Sequence, residues 1–421
     1  MIAFFAPPAA PPAVVYVRAG HLFDGTGDSF RDDVVIRVED GKIAAVTPAS
    51  AAQMPADAKV IDLSKQWVLP GLIDCHTHLS IRPDRYDPIY DFKDTPLDAA
   101  IAGVKNAKTT LDAGFTTVRE LGGVPFVSVD LRERIEEGFI EGPRIVASGP
   151  GISITGGHGD LNDYSPNVSV STFPQERDFS IADGADQVRH VVREQMKYGV
   201  DVIKILASGG VLSRGDSPGA PQFTLDELKV AAETAHMGGR KIAAHAHGAQ
   251  SIRMSIEAGI DSIEHGSFID DEGIRMAKAK GTFIDFDIYD GHFLVDHAND
   301  IHLPLELLLK AKDLVSKKEG NVRRAVKAGV RIAFGTDAGV YPHGENAKNF
   351  RYLVGCGMTP AQAIRAATSD AAELLGREDV GQVKPGRWAD VIAVDSDPLK
   401  DVTALEHVAV VVKAGTIVKK N

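Results

Sequence analysis

Cysteine is nearly missing from this chain of 421 residues, in which only Cys75 and Cys356 occur. Two cysteines exclude a disulfide framework and a cysteine-held zinc knuckle. Any metal must therefore be held by His, Asp, Glu or Lys. Positive charge is also short: 46 Lys and Arg face 58 Asp and Glu, the net charge is -12, and no basic block offsets it. That balance argues against nucleic acid as a partner and points to small molecules or further copies of the chain. Long apolar runs are absent too, none approaching the ~18 residues of a membrane span. The opening MIAFFAPPAAPPAVV is apolar and proline-rich, without the basic flank and long core of a signal peptide. It reads as a loose tail or the remnant of a processed leader, so the protein is expected in the cytoplasm, or exported with that leader removed. What is present, 44% hydrophobic and 25% charged residues, is the composition of a soluble globular protein.

The two ends of the chain share a texture. Short strand-like runs (VVYVRAG, DVVIRVEDGKIAAVT, KVIDLSKQWVL) separated by Gly, Asp, Pro and Ser fill the stretch from Val14 to Leu69, and Asp40-Gly41 is a hairpin signal between two of them. After Gly386 the texture returns in RWADVIAVD, HVAVVVKAG and TIVKK. Together the ends predict a small β-sandwich domain built from residues 1–69 and 380–421.

Residues 70–379 have a different rhythm. A helix-like segment ends in Gly and a short strand follows at once in LDAGFTTVRE, MKYGVDVIKIL, HMGGRKIAAHAH, EAGIDSIEHG, KAKGTFIDFDI and KAGVRIAFGTD. Gly114, Gly199, Gly239, Gly259, Gly281 and Gly329 each fit the left-handed residue that closes a helix. With a strand opening at Leu72 and another in PRIVASG, the count reaches eight. Eight strand–helix units in this order predict an α/β protein with a (β/α)8 TIM barrel.

That assignment gives the histidines a common address. Residues two apart on a strand face the same way, so His76 and His78 of VLPGLIDCHTHL aim together. Reactive groups of such barrels gather at the carboxyl ends of the strands. Strand one ends in His76 and His78, strand four in Lys204, strand five in His245 and His247, strand six in His265, and strand eight in Asp337. His76 and His78 with Asp337 would hold one divalent ion, and His245 with His265 a second. Lys204 as an ammonium would be repelled by two cations. Carboxylation of its amine would turn it into a bridging carboxylate; pairing with an acidic side chain is the plainer alternative.

The motifs PGLIDCHTHL, VIKILASGG, AHAHG, IEHG and GTDAG, with GRWADVIAVD in support, resemble the amidohydrolase superfamily over nearly the whole chain. The nearest branch is that of imidazolonepropionase-like proteins and metal-dependent dipeptidases. The resemblance implies a binuclear site held by His76, His78, Lys204, His245, His265 and Asp337, with Zn2+ as the expected metal. The spacing from His245 to His265 matches the family, which assigns His245 rather than His247 to the metal and leaves His247 for substrate or a supporting hydrogen bond. Two close ions supply an activated water and a polarised carbonyl, and Asp337 can move the proton to a departing amine. The expected substrate is a small amide or dipeptide cut at its C-terminal amino acid. Some members of this branch hydrolyse ochratoxin, so ochratoxin A, split into phenylalanine and ochratoxin alpha, is a specific expectation. Large assemblies among relatives imply a homo-oligomer, up to an octamer.

Loops after the strands should meet the substrate. His158 in GPGISITGGHGD, Ser208 and Arg214 in SGGVLSRGDSPGAPQF, and Tyr341 and His343 near Asp337 are the candidates, together with His247. Arg214, His158 and His247 suit a substrate carboxylate; a solvated loop charge is the alternative for Arg214. Arg119 and Glu120 are read as a buried charge pair, and Cys75 as a packed small residue rather than a nucleophile. Asp285 and Asp287 face one side of strand seven, which the sequence does not connect to the site. A deaminase or cyclic-amide hydrolase of the same superfamily is the second reading, disfavoured because strand five reads HAHG and Lys204 is present. An inactive scaffold is the third, and no ligand is missing to mark it.

Overall fold

A computed structural model describes residues 14–84, 86, 89–90, 93–160, 162 and 179–420. The proline-rich opening before Val14 lies outside them. The first strands are β1 (Val14–Leu22), β2 (Arg31–Glu39), β3 (Lys42–Pro48) and β4 (Lys59–Pro70). Between β2 and β3, Asp40 and Gly41 both adopt positive φ, 49° and 76°. A two-residue hairpin turn of this twist requires that of both its central residues.

Eight strands follow: β5 (Leu72–Thr77), β6 (Phe115–Glu120), β7 (Arg144–Ala147), β8 (Val202–Leu206), β9 (Lys241–Ala246), β10 (Ser262–His265), β11 (Phe283–Asp285) and β12 (Ile332–Ala333). All their pairings are parallel, in a sheet β5-β6-β7 and a sheet β12-β11-β10-β9-β8. Isolated parallel bridges Ser148–Val202 and Thr77–Ala338 join the two sheets at both edges. Every residue of β5, β6 and β8 is buried, as expected of parallel strands covered on both faces. The covering helices turn apolar stripes inward. Ala185–Lys197 buries Val188, Val191 and Val192, and Leu305–Ala328 buries Leu307, Ala311, Leu314, Val322 and Ala325. Lys318 lies on that second stripe and is buried with it. All six glycines predicted to close helices have positive φ.

The chain ends with β13 (Val391–Val394), β14 (Val410–Lys413) and β15 (Thr416–Lys420), which join the opening strands in one seven-stranded sheet of order β15-β14-β13-β4-β1-β2-β3. The sequence predicts a sandwich; the hydrogen bonding of the described residues gives a single sheet, because β4 pairs on both edges. It runs parallel to β1 and antiparallel to β13, Val68 opposite Ala393. Strand alternation splits the side chains of β13. Val391 and Ala393 pack with Val17, Val34 and Ile36 within the sheet's own core, while Ile392 and Val394 join the main core with Phe115 and Phe334. No helix among the described residues is long and apolar enough to cross a membrane.

Candidate metal centre

The carboxyl ends of the parallel strands bring the sequence-predicted histidines together. His76 ends β5 fully buried, with Nε2 3.3 Å from Lys204 Nζ of β8 and 3.5 Å from Asp337 Oδ1 beyond β12. His78, two residues on, sets its Nε2 2.9 Å from the same Asp337 oxygen. Its Nδ1 lies 2.8 Å from the Gly122 carbonyl, a partner that can only accept, so the proton belongs on Nδ1. The bare Nε2 lone pair then meets a carboxylate, an arrangement that calls for a proton or a cation between them. Burial pulls the His78 imidazole down, but Asp337 more than offsets it and the ring is held above its ordinary range.

A second group sits beside the first. His245 of β9 offers Nδ1 to His265 Nε2 at 2.8 Å, while its Nε2 lies 3.1 Å from the Gly209 carbonyl. The carbonyl again fixes the proton and leaves a bare nitrogen facing inward. His247 stacks on His265 with ring centroids 4.4 Å apart and turns its Nδ1 to Ser267 Oγ at 2.8 Å. Burial holds His76, His245, His247 and His265 well below the usual imidazole range, so these rings are neutral, the form that ligates metals. Burial likewise lowers Lys204. His265 follows Glu264 and would point away from it in a regular strand; a φ of 71° swings the ring back toward His76. Asp337 is left-handed as well, at 58°. Two non-glycine residues in this costly conformation mark a centre whose side chains are held in place. His76, His78 and Asp337 form one group able to hold a metal, and His245, His247 and His265 another.

Beneath these groups lies a buried layer of ionisable side chains, of which the sequence singles out Asp285 and Asp287 without joining them to the site. Glu264, Asp285 and Asp287 approach His76 Nδ1 at 3.7, 3.3 and 3.5 Å. Asp290 lines the cavity above, and Lys318 enters from its helix to pair with Asp287 and, at 3.6 Å, with Asp290. Burial pushes the carboxyls of Asp285 and Asp290 well above their usual range. The predicted pair of Arg119 with Glu120 does not form. Neighbours on a strand face opposite sides, so Arg119 reaches across to Glu264 at 2.9 Å, while Glu120 accepts from the Leu79 amide at 2.7 Å. Asp285 and Asp287 were visible in DFD; Glu264 adjoins a candidate ligand; Lys318 falls on an apolar stripe, where a lysine needs a partner.

Above the centre opens a cavity of about 480 Å3 with apolar walls that include Leu121, Val124, Leu206, Leu212, Leu294 and Val340. His158 and His247 line it. His158 stacks on His245 at 4.4 Å and meets Ser213 Oγ at 2.7 Å, and burial lowers it to about 4. Ser208, Arg214, Tyr341 and His343 are not lining residues. Ser208 accepts from the His247 amide, and His343 lies against the His78 carbonyl at 3.2 Å and Thr110 Oγ1 at 3.0 Å. Tyr341 is buried edge-on to Tyr289, and the Arg214 carbonyl accepts from Asn162. Cys75 is buried and its thiol pushed up by burial, consistent with packing.

Parallel strands that deliver histidines, a lysine and a carboxylate to the floor of one cavity define an α/β protein with a centre able to hold metal. The sequence signature of the Amidohydrolase family matches residues 67–418, and the chain belongs to that family of carbon–nitrogen hydrolases. It is similar to ochratoxinase of Aspergillus niger, 34% identical over 94% of this chain and 84% of that protein. It is also similar to imidazolonepropionase of Geobacillus sp., 25% identical over 91% of this chain and 89% of that one. Among solved structures, a Xaa-Pro dipeptidase with bound methionine in the active site superposes with a TM-score of 0.90 at 36% identity, covering 96% of this chain and all of the other.

Proposed function

We propose that the protein is a binuclear metal-dependent amidohydrolase that cleaves the amide bond to a C-terminal amino acid, as a dipeptidase or N-acyl amino acid amidase. One observation carries the reading. His78 and His245 give their protons to the carbonyls of Gly122 and Gly209, which leaves bare nitrogens aimed at Asp337 and His265. We read the eight parallel strands as a (β/α)8 barrel over residues 70–379, with the seven-stranded sheet as a smaller domain from 1–69 and 380–421.

In this reading His76, His78 and Asp337 hold one ion and His245 and His265 the other, with zinc as the metal. Burial disfavours the Lys204 ammonium, which favours the neutral amine that takes up carbon dioxide, and the resulting carbamate would serve as a ligand to the metal. Bound there, the two ions supply an activated water and a polarised carbonyl. Asp337 takes the proton from water and passes it to the departing amine. The apolar walls exclude bulk water and receive an apolar side chain, and His158 and His247, stacked on His245 and His265, face the substrate from beside the metal ligands. Likeness to a Xaa-Pro dipeptidase and to ochratoxinase supports amide cleavage. A homo-oligomer is the expected assembly; Leu97 and Ile101 stand 74% and 70% exposed on one helix face, which supports it.

The test is a hydrolysis screen over dipeptides, N-acyl amino acids and ochratoxin A, run beside metal analysis of the same preparation. Release of a free C-terminal amino acid by protein carrying about two equivalents of metal is the expected result. Cleavage of a lactam or an amidine with no amide cut would transfer the assignment to a cyclic-amide hydrolase or deaminase. Lys204→Ala is expected to lose activity and metal together.

A further inference from the structure

One carboxylate of the buried layer touches both halves of the centre. Asp287 Oδ2 lies 2.5 Å from His265 Nδ1 and 3.5 Å from His76 Nδ1, within ion-pair reach of both rings, and none of the three buried atoms has any other hydrogen-bond partner among the described residues. Its other oxygen, Oδ1, accepts from Lys318 Nζ, which also donates to the Asp287 backbone carbonyl at 2.5 Å. The lysine thus grips the aspartate from one side and leaves Oδ2 facing the two histidines. These rings belong to different groups, yet both turn Nε2 toward the centre: His76 toward Lys204 and Asp337, His265 toward His245. A histidine that ligates through Nε2 carries its proton on Nδ1, and an acceptor there fixes both tautomer and ring angle. Asp285 and Glu264 also approach His76 Nδ1, so His76 has other acceptors; for His265 no other side-chain carboxylate oxygen comes within ion-pair distance of Nδ1 among the described residues.

We propose that Asp287 is a positioning residue for both halves of the metal centre, holding His265 and, with Asp285, His76 in the tautomer that presents Nε2, while Lys318 holds Asp287. The proposal rests on the metal reading above. It gives the lysine buried on a core stripe a purpose: without it, Asp287 could rotate away from the rings it orients.

The chemistry sets a test that simple loss of packing would not reproduce. Asp287→Asn replaces two acceptor oxygens by one. The amide oxygen can serve Lys318 or His265 but not both, and the amide nitrogen turned to His265 opposes its Nδ1 proton. Zinc affinity, measured by competition with a chromophoric chelator, is expected to fall about 10–100-fold, with circular dichroism unchanged. Adding Lys318→Met frees the amide oxygen for His265, and the double variant is expected to recover most of the lost affinity. Wild-type affinity in Asp287→Asn, or a folded double variant no better than the single one, overturns the proposal. For a failure of Asp287→Asn to fold, Lys318→Met alone is titrated, with a loss at the low end of that range expected and unchanged affinity overturning the proposal. Failures at the two levels separate cleanly. Wild-type protein that takes up no zinc refutes the metal reading and this one with it, whereas two ions held equally well by wild type and Asp287→Asn refute the positioning role alone.

Discussion

Arg119 offers a stability test whose size follows from its contacts. The side chain is 1% exposed. Its Nε donates to the Cys75 carbonyl at 2.5 Å, Nη1 to Ser262 Oγ at 2.9 Å and Nη2 to Glu264 Oε1 at 2.9 Å. Arg119→Met keeps most of the length and removes all three donors. Among the described residues, Glu264, fully buried, then keeps one hydrogen-bond donor, the Ser262 hydroxyl, with His76 Nδ1 at 3.7 Å. Removing one partner of a buried pair costs about 3–5 kcal/mol, because the remaining charge has no water to return to. An unfolding entropy of about 2.1 cal/mol/K per residue, taken over the 421-residue chain, gives roughly 0.9 kcal/mol/K. The expected fall in Tm is therefore about 3–6 °C, read by far-ultraviolet circular dichroism at one fixed scan rate for all variants. Arg119→Met/Glu264→Gln removes the stranded charge and should recover more than half of the loss. A single variant within about one degree of wild type would refute the reasoning, and so would a double variant no more stable than the single.

Three further outcomes are expected. Burial, aided by the nearby Arg144 cation, lowers the Lys413 amine from 10.5 to about 8, a cost of roughly 3 kcal/mol at neutral pH. The unfolded chain keeps this proton to about pH 10.5 and the folded protein loses it near 8, so unfolding takes up a proton in that window and stability rises with pH. Lys413→Met should flatten that rise, and parallel Tm profiles for the two proteins from pH 8 to 10 would contradict it. Gly339 has a φ of 121°, and a Cβ there would stand 2.7 Å from His78 Cβ and 2.8 Å from its carbonyl oxygen. Gly339→Ala is expected to displace His78 and lower metal content after gel filtration, whereas full occupancy would show that the loop absorbs the methyl group. Dialysis against a strong chelator should abolish hydrolysis, and added divalent ion should restore it; activity persisting in metal-free protein would end the metal reading.

Much of the arrangement is legible in the sequence, for identifiable reasons. Six of the eight parallel strands announce themselves because each follows a glycine that ends a helix, and glycine closes a helix at φ of 68° to 98° without strain. His76 and His78 were legible because the strand period sends both the same way, and Asp337 because strand order placed it opposite them. The Arg119 partner was not legible. A pair adjacent in sequence looks like a pair in space, and only the register of distant strands shows that Glu264 receives the guanidinium. Asp285 and Asp287 were seen to share a face, but a sequence does not say which face of strand seven looks inward. Lys318 could have been found: residues 307, 311, 314, 318, 322 and 325 form one helical stripe, and a lysine in that series has no place in a core without an anion. The substrate loops are the least legible, because Ser208 and His343 turn their polar atoms to backbone and neighbouring side chains and Tyr341 is buried away from the cavity, a choice made by loop conformation.

The double pairing of β4 has a consequence for how the protein is made. Its edge at Trp67–Pro70 is filled by β13, whose residues begin at Val391. At about 5–20 residues per second, a ribosome needs on the order of 15 to 60 s to travel from one partner to the other. Throughout that interval the nascent chain carries β4 with one edge open and Val68 and Leu69 uncovered, beside a half-made sheet that could pair with any passing strand. The parallel-strand segments between β4 and β13 emerge and can collapse first, and β13, β14 and β15 then close the sheet. Premature termination near the end should thus leave not a slightly shortened enzyme but a sticky one, recovered in the insoluble fraction and dependent on chaperones.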